Sequence, residues 1–308
     1  MTQTPVCFED ITMKKLLFIM NAFAGQKKAN KVLPEILMVF TQAGYEIQMA
    51  MTTGPGAATR LAAERGADVD LVVCCGGDGT LNETITGLLL AGLKTPVGYI
   101  PSGTTNDFAS SLKLSHNPVQ AAQDIVAGQP VAYDVGKFGD RYFCYVASFG
   151  AFTKTSYAMP QSIKNALGHT AYVLGGISEL SQIKDEHIRM EIDGEVIEDD
   201  FLFGAICNST SIGGILTLPP NRVDMGDGLF EVMLIRAPRN LTEIGDCLLA
   251  VQNQCYNCGM ITFRSAKSIK ITASPFLSWT LDGEKADGYG EITVENLHQA
   301  IRIVKRGN

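Results

Sequence analysis

The stretch Val72 to Thr84, VVCCGGDGTLNET, constrains the fold of this chain more than any other. Four apolar residues fit a strand buried on both faces, Gly76-Gly77-Asp78-Gly79-Thr80 follows at once, and a helix-compatible run opens directly behind it. A strand that turns straight into a helix begins a β-α-β unit, and such units build parallel sheets covered by helices. Glycines at the turn let backbone N–H groups approach phosphate oxygens, and the N-terminus of the helix adds favourable potential. The loop matches neither G-x-G-x-x-G nor G-x-x-x-x-G-K-[ST], which sets aside the usual dinucleotide and P-loop readings. Taken alone, a tight turn with a capping Asp or Thr explains it equally well.

The same rhythm runs through the first half. KLLFIM, YEIQMAM, VDLVVCC and PVGYI read as four strands, and the residues between them carry helical spacing, as in Val32, Leu33, Ile36, Leu37 and Phe40. The pattern predicts a doubly wound α/β domain over about 13–133. From there the chain changes character: AYDVGKFGDRYFCYVAS holds two alternating runs around Gly139-Asp140, a hairpin signal, and similar pairs continue toward the C-terminus. A mainly antiparallel second domain is expected over 134–298, with helices near 160–182 and 240–252. No repeat or low-complexity linker separates the halves, so they are expected to meet closely around a cleft.

Composition narrows the function. Lys and Arg total 25 against 32 Asp and Glu, a net charge of −7, which argues against a nucleic-acid binder that works by neutralising phosphates. Lys14-Lys15 before Leu16–Met20 superficially resembles a signal peptide, but the apolar run stops at Asn21 without a cleavage site, and no stretch is long enough for a membrane span. A cytoplasmic protein is expected, with residues 1–12 as an extension. The eight cysteines are scattered and read as buried thiols; Cys255 and Cys258 form the lone C-x-x-C, with no nearby His. The four histidines match no zinc or Ser-His-Asp spacing.

A second loop, PSGTTNDFA (Pro101 to Ala109), follows the next strand with hydroxyls at Ser102, Thr104 and Thr105 and a carboxylate at Asp107. A third, NAFAG (Asn21 to Gly25), ends the first strand. In an open parallel sheet, ligands sit beyond the carboxyl ends of the strands, so three such loops define one crevice suited to a polyphosphate.

With G-G-D-G-T-x-N-E followed some twenty residues later by P-x-G-T-x-N-D-F, the chain resembles the diacylglycerol kinase catalytic family, especially its soluble bacterial members, from about Lys14 to the end. The resemblance implies an ATP-binding α/β domain and a β-sandwich domain, with the last strand, about 299–306, returning to the first. It implies ATP against Asn21, Ala22, Phe23, Ala24 and Gly25, against Thr52 and Thr104, and against Gly76, Gly77, Asp78, Gly79, Thr80, Leu81 and Asn82. Asp78 would orient a catalytic Mg2+, with Asp107 supporting it. The family's general base lies in an L-D-G-E element, here Leu281 to Glu284, which points to Asp282 with Glu284 beside it. Asp-Gly is also a common hairpin turn and recurs at Asp193, Asp227 and Asp287; the residues alone divide the odds evenly between Asp282 and Asp193, and the resemblance favours Asp282. By the same resemblance, PPNRVDMGDGLFEV would hold a structural Mg2+ through the Asp227 side chain and the carbonyls of Asp224 and Leu229.

These implications amount to an ATP-dependent lipid kinase acting on a diacylglycerol-like hydroxyl, working transiently at the inner face of a membrane and compatible with a homodimer. An NAD kinase-like phosphotransferase shares the glycine-aspartate loop, and a non-catalytic nucleotide sensor is the alternative of another class. Lys154, Lys164, Phe149, Phe152 and Tyr157 are candidates for a membrane-facing rim, and core packing with surface charge explains them equally well.

Overall fold

The computed structural model describes residues 13–25, 28–150, 185–212, 216–218, 223–253, 256 and 258–307. β1 (Lys14–Met20), β2 (Tyr45–Met51), β3 (Leu71–Gly76) and β4 (Val97–Pro101) are parallel and lie side by side in the order β2-β1-β3-β4. Alternation along the strands decides which helices cover which face. Leu16, Phe18 and Met20 of β1, with Leu71, Val73 and Cys75 of β3, pack against Ile36 and Phe40 of one helix and Ala122 and Ile125 of another. Leu17, Ile19, Val72 and Cys74 point the other way, onto Ala58, Ala62, Ile85 and Leu88. Both faces are therefore apolar and covered, as the continuous hydrophobic runs require.

The helices in chain order are α1 (Lys28–Lys31), α2 (Leu33–Gln42), α3 (Ala57–Arg65), α4 (Asp78–Leu90), α5 (Asp107–Ser111) and α6 (Pro118–Ala127). α6 is closed at its start by its own sequence: Asn117 accepts from the N–H groups of Val119 and Gln120, and proline occupies the first turn. Because β2 and β3 flank β1 on opposite sides, the order reverses between β1 and β3, and the crevice above their carboxyl ends is the natural ligand position.

The remaining strands are mostly antiparallel: β5 (Gln129–Phe138), β6 (Arg141–Phe143), β7 (Val146–Gly150), β8 (Glu186–Ile192), β9 (Glu195–Cys207), the short pair β10 (Ser211–Ile212) and β11 (Leu216–Thr217), and β12 (Phe230–Arg236). After α7 (Leu241–Gln252) come β13 (Ile261–Ala266), β14 (Ser268–Thr272), β15 (Trp279–Leu281), β16 (Glu284–Ala286) and β17 (Glu291–Lys305). Their inner core gathers Phe138, Phe143, Phe149, Ile188, Met190, Phe230 and Trp279, with the Trp279 ring 4.8 Å from Phe138 and 4.9 Å from Phe149. Phe149, a candidate for a membrane-facing rim on sequence, is fully buried; its β7 position points its ring inward onto Trp279. Lys154, Lys164, Phe152, Tyr157 and the helix expected near 160–182 lie outside the described residues.

β17 joins the two halves. Its first residues pair with β14, Ile303 pairs with Val97 of β4 in parallel, and β5 runs along its other side throughout. The register shifts between Leu297 and Ile301, where Gln299 takes φ +49°, and such an irregularity bends a strand from one layer into another. The expected boundary at 133/134 falls inside β5, which continues unbroken beside β17. One apolar cluster likewise runs from Leu17 and Ile85 through Tyr145 and Phe203 to Cys247 of α7.

Candidate active site

Each of the four parallel strands releases a loop into the same crevice, and specific bonds hold those loops. Asn21, just beyond β1, donates its backbone N–H to the Cys75 carbonyl at 2.9 Å, and its side-chain amide donates to Thr80 Oγ1 at 3.1 Å. The Ser102 N–H donates to the Gly76 carbonyl at 2.8 Å. Backbones then come into direct contact: a Cβ on Gly103 would lie 2.6 Å from the Gly77 Cα, and one on Gly25 (φ +49°) would collide with the Ser102 carbonyl oxygen. Only glycine permits that closeness. Glu83 on α4 receives the N–H groups of Gly56 (2.7 Å) and Ala58 (3.1 Å), tying the loop after β2 to the same helix.

The result is an open cavity of about 650 Å³. Asn21, Phe23, Ala24, Gly25, Thr52, Gly77, Gly79, Thr80 and Thr104 line it, nine of the residues expected from the sequence. Ala22, Gly76, Asp78, Leu81 and Asn82 do not. Leu81 is buried in the core and its N–H is spent on the Gly77 carbonyl within α4. Thr53, Gly54, Pro55, Glu83 and Gly103 line the cavity without having been singled out; the T-T-G-P-G run behind β2 was the available signal for three of them.

Asp78 begins α4, and its carboxylate faces the second loop. Oδ2 accepts the Asp107 N–H at 3.0 Å, and Oδ1 lies 3.4 Å from the Tyr99 hydroxyl. Asn106, in the left-handed region at φ 54°, closes that loop by accepting the Gly103 N–H at 2.9 Å. Burial pushes the Asp78 carboxyl up to about 6, with the charges of Asp107 and Asp282 acting in the same direction. Among the described residues no positive charge is one of the groups that shift the Asp78 carboxyl, a condition that a hard divalent cation would relieve.

The sandwich half contributes the hairpin β15–β16, whose turn is Asp282-Gly283 at φ +49° and +82°. Asp282 is 4% exposed and both its oxygens are fully engaged. Oδ2 receives the Cys144 N–H at 2.6 Å and the Asn82 amide at 2.7 Å; Oδ1 receives the N–H groups of Tyr145 at 3.0 Å and Val146 at 3.1 Å. These three consecutive backbone donors come from Cys144 and Tyr145, between β6 and β7, and from Val146, which opens β7. Burial raises the Asp282 pKa against the opposing pull of these donors. Two residues on, Glu284 reaches the cavity itself: its Oε1 would be 2.7 Å from a Cβ on Gly79, and its Oε2 lies 3.9 Å from the Arg141 guanidinium.

Asp193, the rival Asp-Gly, has the same turn conformation (φ 50°) but accepts the N–H groups of Lys267 and Ser268 on an exposed hairpin far along the sandwich. In the third such loop, Asp224 accepts the Gly226 N–H at 3.1 Å, Asp227 accepts the Leu229 N–H at 2.9 Å, and the Leu229 carbonyl accepts the Asn296 amide. Nearby Glu231 is 2% exposed, its Oε2 has no hydrogen-bond partner, and burial together with the charge of Asp227 drives its pKa to about 8. Among the described residues no group of three or more His, Cys, Asp or Glu side chains converges as a metal site, so the Mg2+ expected at Asp227 with the Asp224 and Leu229 carbonyls has no such cluster around it here. Among the described residues, the cysteines carry free thiols.

A parallel α/β layer with its crevice at the strand ends, faced by an antiparallel sandwich that inserts a carboxylate, defines the NAD kinase and diacylglycerol kinase class of fold. Comparison with known proteins sharpens this. Residues 15–138 match the profile described as the diacylglycerol kinase catalytic domain, and residues 148–305 match the YegS C-terminal NAD kinase beta sandwich-like domain. A Bacillus subtilis protein named diacylglycerol kinase is 31% identical over 295 residues, 95% of this chain and 96% of the relative. A Staphylococcus epidermidis protein of the same name is 32% identical over 94% of this chain and 92% of its own length. A Bacillus anthracis structure superposes with a TM-score of 0.78 at 25% identity, covering 97% of this chain and 98% of the other. The chain belongs to the diacylglycerol kinase catalytic family. No helix among the described residues is long and apolar enough to cross a membrane.

Proposed function

We propose that this chain transfers the γ-phosphoryl group of ATP to the hydroxyl of a diacylglycerol-like lipid. The observation that carries the reading is the position of Glu284, delivered by the sandwich into the cavity directly over the N-terminus of α4. Phosphoryl transfer asks mainly for positioning and charge stabilisation, so a site made of glycines, hydroxyls and carboxylates suits it. The triphosphate lies along Gly77, Gly79, Thr80, Gly103 and Thr104, whose loops present backbone N–H groups and hydroxyls. The acceptor hydroxyl approaches from the sandwich side, its oxygen bonds to the γ-phosphorus as the bond to the β-phosphate oxygen breaks, and its proton passes to a carboxylate.

We assign that proton to Glu284 in place of Asp282. The Asp282 oxygens already accept four donors in a buried setting, whereas Glu284 lines the cavity. Asp282 acts as a positioning residue: through Asn82 it clamps the hairpin carrying Glu284 onto α4. Bound Mg2+ would neutralise charge on the phosphate oxygens, and Asp78, supported by Asp107, would hold it from the start of α4. A lipid acceptor further requires that the enzyme visit a membrane surface.

The test offers radiolabelled ATP with dispersed diacylglycerol, or with NAD, to wild-type protein and to Glu284→Gln, Asp282→Asn and Asp193→Asn. Labelled phospholipid, a loss of about 100- to 1,000-fold in kcat for Glu284→Gln and unchanged turnover for Asp193→Asn are expected. Label in NAD would identify an NAD kinase-like enzyme, and nucleotide binding without transfer to any acceptor would identify a sensor.

A further inference from the structure

Cys258 ends the lone C-x-x-C of the sequence, and phosphoryl transfer makes no use of it. The fold gives this thiol a neighbour from another element, Cys247 on α7. Arg236, the last residue of β12, holds the two sides together. Its backbone N–H donates to the Met260 carbonyl at 3.0 Å and its Nε to the Gly259 carbonyl at 3.0 Å, which fixes the chain just after Cys258. Its terminal nitrogens donate to both carboxylate oxygens of Glu243, at 2.7 and 3.0 Å. Glu243 lies in the first turn of α7, one helical turn before Cys247, so the two side chains share a face. The Asn240 side chain accepts the Glu243 N–H at 2.9 Å and closes the start of that helix, and the Cys258 carbonyl accepts the Ile261 N–H at 3.0 Å on the way into β13.

The clamp sets a thiol pair at the edge of the core. Cys247 is 8% exposed, and half-buried Cys258 packs against the apolar cluster that contains it. The two thiols are hydrogen-bonded to each other; burial, reinforced by Cys258, pushes the Cys247 thiol up to about 12, with the Arg236 charge opposing. The same guanidinium interacts electrostatically with Cys258. A partly accessible thiol beside a guanidinium is the one that meets reagents from solvent, and its buried neighbour acts second. Cys74 and Cys75 offer no comparable pair although they are adjacent in sequence, because consecutive residues of β3 point to opposite faces of the sheet.

We infer that Cys247 and Cys258 form an oxidation site, a dithiol that a low-molecular-weight disulfide such as oxidised glutathione converts into an intramolecular bond. The Cys258 thiolate attacks the reagent, forming a mixed disulfide and releasing one reagent thiol. Cys247 then attacks the Cys258 sulfur and displaces the second. The departing thiolates take up the two cysteine protons, so two protein thiols are oxidised to one disulfide while one reagent disulfide is reduced to two thiols. The bond ties α7 to the entry of β13, and in reducing surroundings it is transient. Nothing in this step depends on the phosphoryl-transfer reading.

The test incubates the folded full chain with oxidised glutathione at neutral pH, blocks remaining thiols with a maleimide and maps the products by mass spectrometry after chymotryptic cleavage, which at Tyr256 separates Cys255 from Cys258. Wild type and Cys255→Ser should give peptides joined through Cys247 and Cys258. Cys247→Ser should stop at a glutathione adduct on Cys258, and Cys258→Ser should leave Cys247 unmodified. The oxidised wild type should unfold about 5 °C higher than the reduced protein, because the bond closes a short loop. A Cys255–Cys258 bond in wild type, a glutathione adduct on Cys258 that wild type does not resolve, or no reaction at Cys258 overturns the assignment. Wild-type mapping decides the pairing without any variant.

Discussion

Exchanging Asp282 for asparagine separates the clamp from the base. Asparagine keeps the side-chain shape and tolerates the φ of +49° at the turn, so the change is confined to one oxygen becoming an amide nitrogen. Turned toward the Oδ2 position, that nitrogen meets the Cys144 N–H and the Asn82 amide; turned toward Oδ1, it meets the N–H groups of Tyr145 and Val146. Asn82 can rotate to offer its own oxygen, but the backbone cannot. At least one buried N–H therefore loses its acceptor, at a cost of about 1–3 kcal/mol. The surviving bonds lose their charge assistance, worth roughly 1 kcal/mol each. Opposing this is the relief of burying a neutral group, which the raised pKa of Asp282 shows to be appreciable. The balance is about 3 kcal/mol of destabilisation, or roughly 5 °C in Tm for a chain of this length. Thermal unfolding by circular dichroism at neutral pH, read beside Glu284→Gln, is the assay. Asp282→Asn should unfold earlier by that amount, and Glu284→Gln should unfold with the wild type yet turn over slowly. If Asp282→Asn keeps the wild-type Tm while its kcat collapses, Asp282 is the proton acceptor and Glu284 is not.

Two further outcomes follow from the charges. The Asp78 pKa is about 6 in the fold against an ordinary 3.8, so the fold favours the protonated carboxyl: this stability is fully present below about pH 4 and lost as pH rises through 6. Asp78→Asn should accordingly stabilise the metal-free protein above pH 6 by up to about 3 kcal/mol, with the gain vanishing near pH 4, as unfolding curves across pH would record; a gain that is independent of pH would contradict the burial argument. Because no cluster of acids converges around Asp227 among the described residues, Mg2+ or Ca2+ should shift the Tm of wild type and of Asp227→Asn equally, and a rise in wild type that Asp227→Asn loses would restore that loop as a cation site.

Much of the architecture was legible locally. Leu16 to Met20 and Val72 to Cys75 are apolar at every position, which suits strands covered on both faces, and the spacing from Val32 to Phe40 announces α2. The glycine and asparagine signals at the strand ends were legible too, since close backbone approach leaves few residue choices: Gly77, Gly103 and Gly25 meet where side chains would collide. Phe149 was harder to place, because an alternating strand shows which residues share a face and not whether that face meets lipid or tryptophan.

The chain's own order of residues determined that three strands would carry ligand-facing turns and that several Asp-Gly pairs would form tight turns, since both outcomes depend on neighbours a few positions away. Asp193 and Asp282 adopt almost the same backbone angles, and nothing nearby tells them apart. Only the assembled structure did so, by bringing Asn82 to Asp282 across 200 positions of sequence and carrying Glu284 over Gly79. Turn formation is a short-range event, whereas a shared pocket depends on how β17 and β5 seat one layer against the other, and that packing is a property of the whole chain.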